Sequence, residues 1–252
     1  NGVSDSGGGI YCNNTKIKLS DLIIEKNLSN GPGGGIFIGD TSLVKIENVH
    51  IDSNITNGEG GGLYVSNNST VDVINSTIKS NSAGVGSGIY ISNNSTVNII
   101  NSTLISNTSS INGGGIFIGD TSLVTIENVH IDSNITNGEG GGIKISNNST
   151  VDIINSNIES NTASMDGGGI KVLNNSTIDI INSMIKSNIA YTDGAGLMIL
   201  ENSVVSIMDS HIISNNAKDH GGAIYINSNN DETSLSIENS FIQNNQTFGW
   251  NG

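Results

Sequence analysis

The sequence is poor in several residue types, and each shortage excludes a class of protein. It has one cysteine and one proline, and 4% of its 252 residues are aromatic. The single cysteine, Cys12, excludes an internal disulfide, and its alignment with aliphatic residues predicts a buried side chain rather than a reactive thiol. Because no run of about 18 apolar residues occurs, we expect no helical membrane span. The net charge of −14 argues against binding to nucleic acid or to an anionic membrane.

What the sequence has instead is a repeat. The segment from Gly113 to Gly142 reproduces the segment from Gly33 to Gly62 except that Thr125 replaces Lys45. Looser copies occupy the rest of the chain, and the aliphatic residue that ends each glycine-rich tract recurs every 26 or 27 residues. Such a repeat predicts a solenoid, in which each unit buries its apolar side only against its neighbours. We expect coils that begin near residues 7, 33, 60, 86, 113, 140, 167, 194 and 221.

Within each unit, apolar and polar residues alternate, and this period of two indicates strands. Breaks at Asn67–Asn68 and at Asn75–Ser76 predict three short strands per coil, with residues 82–88 forming a loop to the next coil. Parallel strands joined by crossovers are expected to wind in the right-handed sense. The predicted fold is therefore all-β: a right-handed parallel β-helix (β-solenoid) of about nine coils, in one domain spanning residues 1–252. We interpret the chain as a segment of a longer protein.

The alignment of the coils also predicts ladders of equivalent residues along the solenoid. Aliphatic ladders should face inward, and two asparagine ladders should mark the corners. One asparagine ladder is expected from Asn27 to Asn215, continued by Asn245 after an insertion near Asn229 to Thr233, and the other from Asn48 to Asn182. Stacked asparagine amides can bond to one another and to corner backbone that otherwise lacks a partner. We interpret both ladders as structural.

The glycine tracts resemble those of a known repeat family. The segments GGGIY (7–11), GGGIF (33–37 and 113–117) and GGAIY (221–225), with a later Ile-x-Ser-Asn, resemble the GGA[ILV] and FxxN motifs of polymorphic outer membrane protein repeats. Ile or Leu replaces the Phe of FxxN in most coils, and Phe241 is the nearest match. The resemblance covers essentially the whole chain. It implies a right-handed parallel β-helix that is exported and serves in adhesion or as a surface fibre.

Outward carboxylates are the first candidates for catalysis, because a glycosidase needs two carboxyl groups about 5–5.5 Å or about 6.5–9.5 Å apart. Asp152 and Asp179 share an outward row in adjacent coils, as do Asp132 and Glu159. Elsewhere these rows carry Lys, Ser, Thr or Asn, and no basic cluster accompanies the acids. We interpret these carboxylates as scattered solvated charge, and we predict no catalytic residue and no enzyme activity.

Two further sets of residues bear on metal binding. We expect no metal and no other cofactor. Calcium is the alternative, because acidic residues precede the glycine tracts of three consecutive coils and carboxylate oxygens are calcium ligands. These calcium candidates are Glu139, Asp166 and Asp193. The GGxGxD nonapeptide of calcium-binding solenoids is absent. Histidines also share one outward row but are three coils, about 14 Å, apart, so they cannot bind one ion together. They are His50, His130 and His211.

One outward row is aromatic in five consecutive coils. It consists of Tyr11, Phe37, Tyr64, Tyr90 and Phe117. An exposed aromatic strip can bind sugars by stacking on ring faces or can contact another protein. The alternative is that the rings pack on one another and stiffen the sheet.

Asn-x-Ser/Thr sequons are abundant, and the exposed corners are the expected sites of glycosylation if the protein is secreted by a eukaryote. The candidates are Asn68, Asn75, Asn94, Asn101, Asn148 and Asn175. Asparagines of the buried corner ladder, such as Asn54 and Asn134, are expected to be inaccessible.

These observations predict an extracellular or cell-surface β-solenoid without catalysis, either a structural filament or an adhesin segment. The expected partners are a host or neighbouring-cell surface, glycans, or copies of the chain joined end to end. The alternative is a carbohydrate-binding or polysaccharide-cleaving protein that uses an outward face. A third interpretation, ice binding, rests on an interrupted threonine ladder formed by Thr70, Thr96, Thr150 and Thr177.

Overall fold

Each turn of the chain contributes one strand to each of four parallel sheets. The computed structural model describes residues 3–228 and 232–249, and within them it contains strands and no helix. No segment of this described part therefore has the helical length and hydrophobicity needed to cross a membrane. Residues 229–231, which belong to the predicted insertion, lie outside the described part. Every strand pairs in parallel with its counterparts one coil away, as Val71 does with Val44 and Val97.

We number the sheets in the order in which a coil enters them after its glycine tract. The strands of sheet 1 are Ile10–Asn13, Ile36–Gly39, Leu63–Val65, Ile89–Ile91, Ile116–Ile118, Ile143–Ile145, Ile170–Val172, Leu197–Leu200 and Ile224–Asn227. The strands of sheet 2 are Lys16–Ser20, Leu43–Glu47, Thr70–Ile74, Thr96–Ile100, Leu123–Glu127, Thr150–Ile154, Thr177–Ile181, Val204–Met208 and Ser234–Glu238.

The strands of sheets 3 and 4 complete each coil. Sheet 3 contains Ile23–Glu25, His50–Asp52, Thr77–Lys79, Thr103–Ile105, His130–Asp132, Asn157–Glu159, Met184–Lys186, His211–Ile213 and Phe241–Gln243. Sheet 4 contains Val3–Ser4, Leu28–Ser29, Ile55–Thr56, Ser82–Val85, Thr108–Asn112, Ile135–Thr136, Thr162–Ala163, Ile189–Ala190, Asn216–Ala217 and Gln246–Thr247.

The all-β parallel solenoid of about nine coils is confirmed, but the prediction of three strands per coil is wrong. The segment expected to be a loop contains the strand Ser82–Val85, which pairs with Thr108–Asn112 through a register shift between Ala83 and Val85. Most strands of sheet 4 are only two residues long. Strands of this length show almost no alternation, and glycine-rich surroundings conceal them further.

Glycines with left-handed backbone angles stand at the predicted coil starts, from Gly7 to Gly221. At Gly60, φ is 69°, and a Cβ atom would lie 2.7 Å from the carbonyl oxygen of Leu63. A side chain is therefore excluded both by the backbone angle and by the neighbouring strand. Asparagines adopt the same left-handed region at the predicted breaks, including Asn67, Asn68 and Asn75. The corners of the coil are thus where the repeat places residues that tolerate positive φ.

Inward-facing aliphatic side chains form one continuous core along the solenoid. Ile36, Leu63 and Ile89 are fully buried and adjoin in sheet 1, as the predicted ladder requires. Cys12 continues the next inward row and is 3% exposed. Burial raises the pKa of its thiol and keeps it protonated, which confirms the prediction of a small buried side chain.

The buried asparagine ladder runs along the corner between sheets 3 and 4. Asn134 Nδ2 donates to the carbonyl oxygen of Leu104 and to Asn161 Oδ1 of the next coil, both at 3.0 Å. Its Oδ1 accepts from the backbone N–H and the side-chain amide of Asn107. The pattern continues to Asn245, which accepts from Asn215. Both hydrogen-bonding ends of the amides are used, so this ladder is structural as predicted.

Candidate functional site

An open groove follows the corner between sheets 1 and 2. From the second coil to the eighth, the chain turns there on two consecutive residues with positive φ, such as Asn93 and Asn94 at 54° and 60°. The groove has a volume of about 660 Å³ and a lining of polar side chains from five coils. Its lining residues are Asn68, Asn93, Asn94, Asp120, Thr121, Asn147, Asn148, Asn174 and Asn175. Amide groups and one carboxylate thus form an elongated polar surface parallel to the solenoid axis.

The amides of this groove also bond along the axis. Asn94 Nδ2 donates to Asn68 Oδ1 at 2.8 Å, and Asn147 Nδ2 donates to Asp120 Oδ1 at 2.8 Å. Each such donor retains a second N–H.

The sequon candidates Asn68, Asn75, Asn94, Asn101, Asn148 and Asn175 are all exposed, whereas Asn54 and Asn134 are fully buried. The accessible corners are therefore sterically open to a glycan, and glycosylation itself stays a prediction.

The predicted aromatic strip is a continuous stack on the outer face of sheet 1. Ring centroids of successive members lie 4.7–5.2 Å apart, with interplanar angles of 2–12°. Phe37, Tyr64 and Tyr90 have a neighbouring ring on both sides, so their faces are covered and only ring edges remain accessible. Burial is the main reason that the pKa of Tyr90 rises to about 12. The geometry matches the interpretation in which the rings pack on one another, and it leaves no face of an inner ring for a sugar.

Lysines continue the aromatic row and pair with the calcium candidates. Lys171 Nζ lies 2.8 Å from Glu139 Oε1 and 3.0 Å from Asp166 Oδ2, and its side chain is 4% exposed. Lys144 Nζ lies 2.7 Å from the other oxygen of Glu139. Burial alone would raise the pKa of Glu139, but the hydrogen bonds from both lysines outweigh it and lower the pKa. The charge next to these carboxylates is thus balanced by lysines, and this geometry gives no support to the calcium alternative.

The third calcium candidate has a different partner. Asp193 Oδ1 lies 2.9 Å from His220 Nδ1 and also accepts the backbone N–H of His220. The side chain of His220 is 74% exposed. The structure therefore does not gather Glu139, Asp166 and Asp193 around one common point, because Lys171 lies between Glu139 and Asp166 and His220 binds Asp193.

The carboxylate pair proposed for sugar chemistry lies on the outer face of sheet 2. Asp152 and Asp179 are in direct register in adjacent coils. Burial and the negative charge of Asp179 both raise the pKa of Asp152. Adjacent parallel strands are about 4.8 Å apart, which approaches the separation that retaining glycosidases use. Both side chains are half-buried on an open sheet face.

The threonine ladder of the ice-binding interpretation lies at the edge of the same sheet. Thr70 and Thr96 are in register, and Thr150 and Thr177 form a second pair. Leu123 separates the pairs and is 47% exposed, and Val204 follows them at 44% exposed. The row therefore alternates between hydroxyl and large aliphatic groups.

Sequence reasoning missed one cluster of potential metal ligands on sheet 3. His130, Asp132 and Glu159 each offer a ligand atom, and these atoms lie within 4.8 Å of one another. The repeat shows the Asp132–Glu159 pair and the histidine row as two separate patterns. The signal that joins them is a His-x-Asp strand followed 27 residues after the aspartate by a glutamate.

Comparison with known families decides the class of this solenoid. A family model described as a right-handed beta helix region matches residues 1–128 and 87–251. The chain belongs to the right-handed β-helix family. Comparison with curated proteins and with solved structures found no match. The predicted handedness agrees with the family.

Membership of the right-handed β-helix family does not by itself determine an activity. The family contains polysaccharide lyases and proteins without catalytic activity. Because the same scaffold supports both, the function has to be argued from the outward rows of this β-helix.

Proposed function

We propose that this β-helix is a non-enzymatic segment of an extracellular or cell-surface protein, a structural filament or an adhesin built from repeats of the polymorphic outer membrane protein type. The observation that carries the proposal is the copied surface. The strands Leu43–Glu47 and Leu123–Glu127 differ at one residue, and equivalent outward side chains recur three coils, about 14 Å, further along. A surface that is duplicated along a rod suits repeated contact with an extended partner better than chemistry at one point.

The proposed partners are glycans or proteins of a host or neighbouring cell, or copies of the same chain joined end to end. The amide-lined corner groove supports the first possibility, because asparagine side chains both donate and accept hydrogen bonds to sugar hydroxyl groups. The strongly acidic composition, with 23 Asp and Glu against 9 Lys and Arg, disfavours nucleic acid as a partner. No resident cofactor is part of the proposal.

Mass spectrometry of the native protein tests the export route. Added hexose mass at Asn68, Asn94, Asn148 or Asn175 would support secretion and surface location.

Binding of the native protein to intact cells and to a glycan array then tests adhesion. Saturable binding that is lost when Asn94 and Asn148 are both replaced by Asp is the expected result for a groove-mediated contact. Absence of sequon mass, cell binding and self-association together would refute the proposal.

Polysaccharide cleavage is the second candidate, and the raised pKa of Asp152 beside Asp179 is the observation that favours it. A raised pKa on one of two carboxyl groups is the arrangement that a general acid and its partner require. Wild-type protein should be screened for reducing ends released from acidic and neutral polysaccharides, with Asp152→Asn and Asp179→Asn as the loss variants. Asp72→Asn is the matched control, because Asp72 occupies the same row next to Asn98 rather than a second carboxylate. Ice binding would be revealed by thermal hysteresis.

A further inference from the structure

The outer face of sheet 3 brings one imidazole and two carboxylates together. His130 Nε2 lies 3.8 Å from Asp132 Oδ2 and 3.5 Å from Glu159 Oε1. His130 and Asp132 belong to one strand, and Glu159 is in register with Asp132 in the next coil. The three side chains are 20–36% exposed, so they are partly withdrawn from solvent and still accessible to an ion.

The separations fit a tetrahedral ion. Ligand atoms that bind Zn²⁺ at about 2.0–2.2 Å in tetrahedral geometry are about 3.3–3.6 Å from one another. The imidazole-to-carboxylate distances of 3.5 and 3.8 Å require only small side-chain rotations to reach that range. One nitrogen and two carboxylate oxygens form a donor set that borderline divalent metals accept, with a position left for water.

The duplication within the chain provides an internal comparison. His50 and Asp52 occupy the equivalent strand of the copied segment, but the residue in register with Asp52 in the next coil is Lys79. Lys79 Nζ lies 3.1 Å from Asp52 Oδ2, so an ammonium group takes the position that a cation would need. The third histidine of the row, His211, has Ile213 in place of the aspartate. Glu25 is in register with Asp52 in the preceding coil. Among the described residues, however, only His130 has two carboxylates whose ligand atoms, together with its own, all lie within 4.8 Å of one another.

The residues next to the cluster are consistent with a bound ion. Asn157 is in register with His130 on the same outward row, and its Oδ1 is buried and lacks a hydrogen-bond partner within the described part of the chain. This amide therefore gives the cluster a polar neighbour in the next coil. Ser133 Oγ donates to Asp132 Oδ1 at 2.9 Å, which holds the other carboxylate oxygen and orients the group. Lys186 is in register with Glu159 on the side away from His130.

We propose that His130, Asp132 and Glu159 form a binding site for one divalent transition-metal ion of the Zn²⁺ type, with water completing the coordination. The imidazole supplies its Nε2 atom, and each carboxylate supplies one oxygen. The site belongs to the outer face of the solenoid and is independent of the corner groove and of the lysine-paired carboxylates. Its open position is available to an oxygen or nitrogen ligand of another molecule.

The test is calorimetric titration of ZnCl₂ into the untagged, chelator-treated full chain. One Zn²⁺ per chain is expected for the wild type. His130→Ala should weaken binding by at least about 100-fold, because loss of an outer-shell partner alone costs about 10- to 100-fold. His50→Ala is the matched control at the same position of the copied segment, and it should leave the affinity unchanged. Titration with Co²⁺ should give the intense visible absorption of a tetrahedral N/O site in the wild type and not in His130→Ala.

A gain-of-site variant separates metal binding from an ordinary ion pair. Lys79→Glu supplies the missing carboxylate next to His50 and Asp52, and it should raise the stoichiometry from one to two Zn²⁺ per chain. Conversely, Glu159→Lys reproduces the arrangement of the earlier coil and should abolish binding. All of these side chains point outward, and far-UV circular dichroism establishes that each variant is folded. The proposal is overturned if the folded wild type binds no Zn²⁺, if His130→Ala and His50→Ala behave alike, or if Lys79→Glu adds no second ion.

Discussion

At the scale of single residues, this fold depends on polar side chains that are buried at the corner between sheets 3 and 4. The asparagines between sheets 3 and 4, among them Asn81, Asn107 and Asn161, are at most 1% exposed. A buried amide is costly unless its donors and acceptor are all satisfied. The repeat satisfies them from neighbouring coils, so each amide is a contact between coils as well as a corner support.

Replacing Asn134 by Ala should therefore destabilise the solenoid by at least about 3 kcal/mol. The change leaves the backbone N–H of Asn107 without its acceptor. It also removes one hydrogen bond each from the Asn107 amide, the Leu104 carbonyl oxygen and Asn161 Oδ1. The midpoint of guanidinium unfolding measures the effect. Asn128→Ala is the control, since Asn128 belongs to the exposed corner ladder, where its side-chain amide donates to Asn101 Oδ1. Its loss should cost about 1 kcal/mol, mostly from the left-handed backbone angle, and equal effects of the two changes would contradict a structural role for the buried ladder.

Glu139 should make stability depend on pH in the acidic range. Its folded-state pKa is lowered from the ordinary value of 4.5, so its contribution is complete above that value and is lost as the pH falls through the folded pKa. Glu139→Gln should cost about 1–3 kcal/mol near neutral pH, because Lys144 and Lys171 lose a charged acceptor. The difference between variant and wild type should shrink below pH 4.5.

The duplicated segment again supplies the control for this measurement. Glu59 is the counterpart of Glu139, but Tyr64 stands where Lys144 stands in the later copy. Glu59→Gln should change stability by less than about 0.5 kcal/mol. A pH-independent difference between Glu139→Gln and the wild type would contradict the role of the charge.

At the scale of elements, stacked like residues reinforce each sheet. Tyr64 packs between Phe37 and Tyr90, with centroid distances of 5.0 and 5.2 Å. Tyr64→Ala should destabilise the protein by about 2–3 kcal/mol through lost burial and two lost ring contacts. Tyr11→Ala removes one ring contact from a side chain that is 56% exposed and should cost less than about 1 kcal/mol. Chemical unfolding and near-UV circular dichroism compare the two, and a larger effect at Tyr11 would be inconsistent with the stack.

The elements also show which parts of the fold can be predicted from sequence. The inward rows and coil starts follow from aliphatic alternation and from glycine, because burial and positive φ restrict residue choice at each repeat. The strand Ser82–Val85 could not be predicted, since its pairing depends on the neighbouring coils and not on its own alternation. Similarly, the cluster of His130 with Glu159 depends on which residue the next coil presents. The ion pairs of Lys171 with Glu139 and Asp166 could not be predicted either, because Glu139 belongs to a neighbouring coil.

At the scale of the whole molecule, near-identity at an 80-residue spacing predicts that three coils can be removed as a unit. Deletion of residues 33–112 joins Pro32 to Gly113, and the first coil then meets a segment that differs from its present neighbour only by Thr125 in place of Lys45. The shortened protein should fold, keep its β-sheet spectrum and be about 14 Å shorter by small-angle X-ray scattering.

A deletion that removes a fraction of a coil is the matched control for this experiment. Removal of residues 33–98 would join Pro32, which precedes a glycine tract, to Ile99 in the interior of a sheet 2 strand, and would put inward side chains out of register. That variant should be unfolded or aggregated. Equal folding of both deletions would show that coil register does not govern the assembly.

The short strands of sheet 4 have one more consequence. The coil that contains Ser82–Val85 is one residue shorter than its neighbours, and the register shift at Ala83 absorbs the difference while sheets 1 to 3 keep their pairing. Chain length can therefore change at this side without disturbing the other three. For an engineer, the exposed residues Ser110 and Ile111, where the next coil carries its additional residue, are a grafting point at which a foreign epitope can be displayed. For evolution, the same side of the solenoid can change in length and sequence while the aliphatic interior remains fixed.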